Sequence, residues 1–216
     1  MVMVWLSHEG QTQRKVAIVG GGPTRRDAPF DDPAWEIWGF SSKDWKIPRV
    51  TRWFEIHAWE DLEQQLAAPK RGRRTFSDYI RFMSELDAPV YVQRPLPQIP
   101  RCVEFPVDRL LAEFGRCFTS TASYLVGLAI VEGVDVIGLW GINPTSRSFA
   151  YQLPSLQYLL GHARRRGIEV CLPRSLRLEI PEKPKFVETP VLYAYEWESP
   201  LAWWRERLKK KGKRRR

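Results

Sequence analysis

The chain has 216 residues, of which 44% are hydrophobic, so it is not disordered throughout and favours a single α/β domain with a substantial core. Its formal net charge of +9 is unevenly placed, because residues 205–216 carry nine Lys or Arg and one Glu. The preceding body is nearly neutral, which excludes a globally basic nucleic-acid-binding protein.

The cysteines and the first residues indicate the compartment. The three cysteines are widely spaced and include no C-x-x-C pair, a pattern typical of free thiols in a reducing compartment. Residues 1–6 are too short for the hydrophobic part of a signal peptide, and no run approaches the roughly 18 apolar residues of a membrane span. We therefore expect a soluble cytoplasmic protein.

A short apolar stretch at residues 15–19 predicts the first strand, and three glycines follow it. Glycines let the backbone turn sharply and bring its N–H groups close to an anion, so the sequence predicts a phosphate-binding loop here. The spacing matches neither G-x-G-x-x-G nor G-x-x-x-x-G-K-[ST], and a tight structural turn remains the alternative. The candidate phosphate-binding residues are Gly20, Gly21, Gly22, Pro23, Thr24 and Arg25.

Two further strands are predicted at residues 35–40 and 52–57. In an open parallel sheet the carboxyl ends of the strands line the ligand crevice. Ser41 and Ser42, which follow the earlier strand, are therefore candidate ligand contacts. His57 ends the later strand and is a candidate general base, since its unperturbed pKa lies near neutrality; the alternative is a packing histidine among tryptophans.

The rest of the chain alternates helices and strands. Apolar spacing and capping residues predict helices over 60–66, 76–86, 106–114, 122–131 and 153–166, and strands over 89–93, 134–140 and 168–172. The proline-containing stretch 95–100 is expected to be irregular. This alternation predicts an α/β fold of Rossmann-like type, a mostly parallel sheet covered by helices on both faces, followed by a basic C-terminal tail.

The expected organisation has four parts. These are an N-terminal leader over residues 1–14, a Rossmann-like nucleotide-binding domain over 15–180, a linker with a C-terminal strand and helix over 181–208, and a basic tail over 209–216.

Three motifs of the chain resemble those of known families. The Gly-Gly-Gly-Pro-Thr loop, the Phe-Thr-Ser-Thr stretch at 118–121 before an apolar helix, and Gly-Ile-Asn at 141–143 after a strand resemble two groups. These are the bacterial sialyltransferases that use CMP-sialic acid and the archaeal 6-hydroxymethylpterin pyrophosphokinase-like proteins. The segments at 35–39 and 52–57 are similar to those of uncharacterised phage-encoded proteins, which would place the protein in the cytoplasm of a host cell.

The resemblance implies three corners of a nucleotide site. Gly20, Gly22, Pro23 and Thr24 match the phosphate loop of these families, Thr119 and Ser120 match a second ligand-facing corner, and Gly141 and Asn143 match a third. Residue 143 departs from the pattern, because the families carry an acid there and an amide supplies no negative charge to a cation or a proton transfer. The histidine that serves as base in the sialyltransferases has no secure counterpart in this chain.

The function implied is that of a nucleotide- or nucleotide-sugar-binding protein that acts as a transferase through its Gly-rich loop. The alternative is a non-catalytic nucleotide- or nucleic-acid-associated protein that lacks the acid at position 143. A nucleotide or nucleotide sugar is the expected ligand, the sequence supports no metal site, and no membrane partner is expected.

The basic tail allows salt-sensitive nucleic-acid contacts that are independent of sequence, or it is only solvated charge. Its candidate contact residues are Lys209, Lys210, Lys211, Lys213, Arg214, Arg215 and Arg216.

Overall fold

The structure is a computed structural model that describes residues 13–40, 46–67, 75–143, 152–176 and 178–189. Its strands in chain order are β1 (Lys15–Val19), β2 (Trp35–Gly39), β3 (Arg52–Glu55), β4 (Val90–Val92), β5 (Cys102–Glu104), β6 (Val136–Trp140) and β7 (Glu169–Cys171). Its α-helices are α1 (Trp59–Leu66), α2 (Phe76–Glu85), α3 (Val107–Phe114), α4 (Thr121–Val131) and α5 (Leu153–Arg165), and a short 3-10 helix spans Pro23–Asp27.

The seven strands form one parallel sheet in the order β5-β4-β3-β2-β1-β6-β7. From β1 the chain adds strands on one side as far as β5, and it then crosses back to add β6 and β7 on the other side. The direction of winding therefore reverses between β1 and β6, which pair along all five residues of each strand. Ligands of open parallel sheets bind at such a reversal, outside the carboxyl ends of the strands.

Side chains of the central strand alternate between two apolar layers, as the pleat of a strand requires. Val16 and Ile18 are fully buried in the larger core, which α3, α4 and α5 cover. Ala17 and Val19 point to the opposite face, where the 3-10 helix and its flanking loop lie near β1 and α1 and α2 pack beside β3 and β4. Helices thus cover both faces, and the predicted Rossmann-like fold is confirmed, with every strand pair parallel.

The most buried helix is α4, whose residues from Thr121 to Ile130 are all buried. Its sequence is apolar on every side, which is typical of a helix enclosed between a sheet and other helices. A capping box begins it, because the Ser120 hydroxyl accepts the Ser123 N–H and the Ser123 hydroxyl accepts the Ser120 N–H. The other end of α4 reaches the amino edge of the sheet, where Glu132 binds Arg14.

The prediction from the sequence omitted strand β5. We expected irregular chain through 95–100 and assigned no strand after it, whereas Cys102–Glu104 pairs with β4. The strand has three residues and lies at the edge of the sheet, and its Val103 side chain is 38% exposed, so no alternation of buried and exposed residues marks it. Most of the leader expected over 1–14, and the strand and helix expected beyond 190, lie outside the described residues.

The described part of the expected linker packs on the domain. The Thr189 N–H donates to the Arg116 carbonyl at 2.7 Å, and Pro184 lies against Gly161 of α5. The division into domains stays a prediction. The three cysteines are free thiols, and no described helix is both long and apolar enough to cross a bilayer.

Four charged residues join the amino edge of the sheet. Arg14 binds Glu36 of β2 and Glu132 at the end of α4, both at 2.6 Å. Arg52 of β3 binds Glu132 at 2.7 Å, approaches Glu36 at 3.4 Å and lies 4.8 Å above the ring of Trp38. The network therefore ties the first three strands to the last turn of α4.

This network makes the stability depend on pH. Burial acts to raise the pKa of Glu36, but hydrogen bonds from Arg14 and Trp38 and the charges of Arg14 and Arg52 outweigh it and hold that pKa below its ordinary value. A carboxylate with a lowered folded-state pKa stabilises the protein above its unfolded-state pKa, and this contribution is lost as the pH falls through the folded-state pKa. We expect Glu36→Gln to lower the free energy of unfolding at neutral pH and to flatten its decline between about pH 5 and pH 3 in urea denaturation.

The matched control is Glu63→Gln, which changes an exposed carboxylate on α1. It should keep the wild-type acid slope. A wild-type slope in Glu36→Gln would show that the network does not set the acid sensitivity.

Candidate functional site

The loop after β1 is bonded directly to the corner after β6. The Gly20 N–H donates to the Trp140 carbonyl and the Gly22 N–H donates to the Gly141 carbonyl, both at 2.8 Å. The Gly141 N–H in turn donates to the Thr24 hydroxyl oxygen at 2.8 Å. The structure thus brings two predicted corners of the site together at the reversal point of the sheet.

Glycine is required on both sides of this contact. A Cβ atom on Gly20 would lie 2.7 Å from the Gly141 carbonyl oxygen, and one on Gly22 would lie 2.8 Å from it. Gly141 has a φ of +66°, a left-handed conformation that other residues rarely adopt, and a Cβ there would overlap the Gly20 carbonyl. The glycines therefore permit a close approach of two backbones.

Because of this contact, only some hydrogen-bond donors of the loop are left to bind a ligand. The N–H groups of Gly20 and Gly22 are used within the protein, so these two groups have a structural role. Gly21 is exposed, and its N–H donates no hydrogen bond to the described residues. The Gly21 N–H and the hydroxyl proton of Thr24 are among the loop donors that an anion can use, and the phosphate-binding role stays a prediction.

A buried hydroxyl group lies just before the cap of α4. Thr119 is 2% exposed, and within the described residues its Oγ1 atom makes no hydrogen bond. The N–H groups of Thr119 and Ser120 both donate to the Ser123 hydroxyl, and the Ser120 hydroxyl serves as the helix cap. Because α4 packs on β1 and ends at the amino edge, it begins at the carboxyl edge, the same edge as the glycine loop.

His57 lies at this edge beyond β3 and is held by a carboxylate. Its Nδ1 atom and its backbone N–H both contact Oε1 of Glu55, which is 1% exposed. Oε2 of Glu55 accepts the Tyr79 hydroxyl at 2.8 Å, and the Tyr79 oxygen accepts the Trp53 indole N–H at 3.0 Å. Because a carboxylate only accepts hydrogen bonds, the contact places a proton on Nδ1 of His57.

The charges of this cluster are coupled. Burial acts to raise the pKa of Glu55, but the charge and hydrogen bonds of His57 and the Tyr79 hydroxyl outweigh it and hold that pKa below its ordinary value. Burial and the neighbouring charge of Glu55 raise the pKa of Tyr79 well above its ordinary value. At neutral pH the cluster therefore contains an ionised glutamate and a neutral tyrosine.

The sequence singled out His57 but not its partners. Glu55 stands two positions before His57, and residues two apart share one side of an extended chain, so this signal was present. Tyr79 comes from α2, and no local pattern connects it to β3.

The remaining predicted residues are distributed as follows. Asn143 is exposed just beyond the Gly141 corner, and Arg25 is half-buried beside Gly141. Ser41, Ser42 and the tail residues from Lys209 to Arg216 lie outside the described residues. Across the described ranges no group of three His, Cys, Asp or Glu side chains could hold a metal ion.

Comparisons with known proteins give a likeness of fold. Neither a protein-family model nor a curated protein matches the sequence. The sialyltransferase CST-II, solved with a trisaccharide acceptor and CMP, is 13% identical with a TM-score of 0.50, covering 82% of this chain and 89% of that chain. CstII from Campylobacter jejuni with cytidine-5'-monophosphate is 14% identical with a TM-score of 0.49, covering 89% and 98%.

A third solved structure is the monofunctional alpha-2,3-sialyltransferase Cst-I from Campylobacter jejuni. It is 12% identical with a TM-score of 0.46, and the match covers 99% of both chains. At these identities the likeness is one of fold alone, and it rests on the CST-II complex with the trisaccharide acceptor. The pterin pyrophosphokinase-like and phage-encoded parts of the resemblance stay predictions.

Two glycines test the contact between the loops. Gly141 and Gly133 have nearly the same φ, +66° and +69°, but a Cβ on Gly133 would meet nothing within 4 Å. Gly133→Ala should cost about 1 kcal/mol for the left-handed backbone alone. Gly141→Ala should cost at least about 2 kcal/mol more, because the Gly20 carbonyl must also move.

Thermal and urea unfolding of both variants measure this difference. Equal losses in the two variants would show that the approach of the two loops does not constrain the fold.

Proposed function

We propose that the protein binds a nucleotide or nucleotide sugar at the carboxyl ends of β1 and β6 and acts as a transferase on it. The observation that carries this proposal is the bonding of the Gly20–Gly22 loop to Gly141 at the reversal point of the parallel sheet. In folds of this type nucleotides bind outside the carboxyl ends of the strands at such a reversal.

The polar atoms at this edge suit a phosphate group. The Gly21 N–H and the Thr24 hydroxyl lie close together in the chain, and Thr24 is the second residue of the 3-10 helix Pro23–Asp27. Backbone N–H groups in such turns favour anions. Arg25, whose Cβ lies beside Gly141, adds a positively charged side chain to the loop.

The second corner supplies a neutral donor. A buried hydroxyl without a partner costs about 1–3 kcal/mol, and such a cost is recovered when a ligand provides the missing partner. Thr119 fits a ribose or base contact in this way, whereas Ser120 is already used as the cap of α4. Asn143 can hydrogen-bond a sugar or base, but no step of the proposed transfer depends on a charge at this position.

The likeness to solved structures supports a nucleotide sugar as the ligand class. The CST-II structure that shares the fold contains CMP and a trisaccharide acceptor, so that protein uses the same architecture for a nucleotide and a sugar. For the present chain, the donor nucleotide and the transferred group are part of the proposal.

Ligand binding is tested on wild-type protein with CMP, CMP-sialic acid, UDP-glucose, GDP-mannose and ATP. A ligand that binds only the folded state stabilises it by about 2.7 kcal/mol at one hundred times its Kd, so a matching nucleotide should raise the Tm clearly. Calorimetric titration then gives the Kd. The absence of any shift or heat with all five compounds would contradict the proposal.

Thr119→Val separates stability from binding. Removing an unpartnered buried hydroxyl should leave the free protein as stable as wild type or more stable. Loss of its ligand contact should weaken nucleotide binding about tenfold, the effect of one hydrogen bond of about 1.4 kcal/mol.

Ser155→Ala removes the other buried hydroxyl that has no partner among the described residues, on α5, and controls for the gain in stability. Unchanged nucleotide affinity in Thr119→Val would remove this corner from the site. Release of free nucleotide from the bound nucleotide sugar then distinguishes a transferase from a protein that only binds nucleotides.

A further inference from the structure

A line of polar groups runs from the core to the carboxyl edge of the sheet and ends at one histidine. Trp53 and Tyr79 are buried, Glu55 is buried between Tyr79 and His57, and the His57 side chain is 17% exposed. Burying an ionised carboxylate costs several kcal/mol before its partners compensate. The protein therefore keeps a buried ionised carboxylate, at a cost in stability, in contact with a histidine that reaches the surface.

The segment that carries His57 is fixed on both sides. The Ile56 carbonyl accepts the Gln93 side-chain N–H at 2.6 Å, and the Trp59 indole N–H donates to the Arg94 carbonyl at 2.8 Å. Arg94 also forms an ion pair with Glu60 in the first turn of α1. The segment after β3 is thus bonded to the segment after β4, which restricts the position of the imidazole ring.

The position of this histidine relative to the nucleotide crevice follows from the sheet. Only β2 separates β3 from β1, so the segment after β3 lies two strand spacings, about 10 Å, from the glycine loop along the same edge. One sugar ring and an attacking hydroxyl group would bridge that separation. His57 is therefore placed where the acceptor of a transfer reaction would meet the donor.

We propose that His57 is the general base that removes the proton of an acceptor hydroxyl, and that Glu55 and Tyr79 position it. This proposal rests on the proposed transferase function. The acceptor class is an alcohol, such as a sugar hydroxyl, because a neutral imidazole takes a proton from an attacking oxygen in reactions of this kind.

The proposed step is a displacement at the donor carbon. The acceptor oxygen forms a bond to the donor carbon that carries the nucleotide phosphate, and the bond from that carbon to the phosphate oxygen breaks, with its electron pair leaving on the nucleotide. The acceptor proton passes to Nε2 of His57. The imidazole keeps its Nδ1 proton on Glu55, and the carboxylate stabilises the imidazolium that forms.

The groups around the histidine fit this role. His57 and Tyr79 are the groups that act on the Glu55 charge, and they hold its pKa low enough to keep it ionised at neutral pH. Tyr79 donates its proton to Glu55 and stays neutral, since its own pKa is raised. Arg94 and Glu60, on the segments that flank His57, pair with each other.

The test uses the full chain and the nucleotide sugar that wild-type protein binds from the panel of CMP-sialic acid, UDP-glucose and GDP-mannose. Nucleotide release is followed with lactose or water as the acceptor, from about pH 5 to pH 9, which spans the titration of a histidine. His57→Asn should lower kcat by about 10²–10⁴-fold, the usual contribution of a general base, with the Kd for the nucleotide within about twofold of wild type.

The pH profile of Glu55→Gln distinguishes a role in proton transfer from a purely structural role. The loss of the carboxylate charge destabilises the imidazolium, so the acid limb of the pH profile should shift to lower pH by about one to two units while kcat falls. Tyr79→Phe should lower kcat about fivefold, the effect of one neutral hydrogen bond. Glu113→Gln, a surface carboxylate paired with Arg166 on the opposite helical layer, is the control and should keep the wild-type profile.

Nucleotide binding and circular dichroism report whether each variant folds. If Glu55→Gln does not fold, Tyr79→Phe tests the role of the cluster instead. A wild-type kcat in His57→Asn, or an unshifted acid limb in a folded Glu55→Gln, would overturn the role of the cluster and leave the nucleotide site standing. Binding of a nucleotide sugar without release of nucleotide from any donor would likewise overturn the role of the cluster but not the nucleotide site. Failure of wild-type protein to bind any nucleotide would instead overturn the proposed function, and the binding measurement shows this before any variant is made.

Discussion

The close contact between the Gly20–Gly22 loop and Gly141 is the constraint on which the carboxyl edge of the sheet depends. The adjacent strands β1 and β6 deliver two backbones to one point, and the absence of Cβ atoms lets them hydrogen-bond there. The contact also orients the Thr24 hydroxyl and leaves Gly21 exposed. One short loop thus combines a packing requirement with the Gly21 N–H and the Thr24 hydroxyl, the groups that we propose to bind an anion.

The two edges of the sheet use polar groups differently. At the amino edge, four charged residues pair with one another between β1, β2, β3 and the end of α4, an arrangement that stabilises the fold. At the carboxyl edge, the Thr119 hydroxyl has no partner among the described residues, and the buried Glu55 carboxylate holds His57, whose side chain is 17% exposed. Polar groups that cost stability in the ligand-free protein are typical of functional sites. Here they lie at the carboxyl edge of the sheet, where the direction of winding reverses between β1 and β6.

Much of the fold could be predicted from local pattern. Alternating strands and helices indicated a parallel sheet, and the apolar sequence of α4 after a Ser cap indicated its burial. Edge strand β5 could not be found this way, because it has three residues and an exposed side chain. The pairing of Gly22 with Gly141 and of Tyr79 with Glu55 joins distant parts of the chain, so only the tertiary structure shows that the first contact uses up loop N–H groups and the second anchors His57.

We propose that a nucleotide lies at the carboxyl ends of β1 and β6. A titration of ¹⁵N-labelled protein with CMP, followed by amide chemical shifts, measures whether it binds there. We expect the largest shifts at Gly21 and Gly141 and at the start of α4 near Thr119, with the amino edge around Arg14 unchanged. Shifts confined to other surfaces, with the Gly21 and Gly141 signals unmoved at saturating CMP, would contradict it.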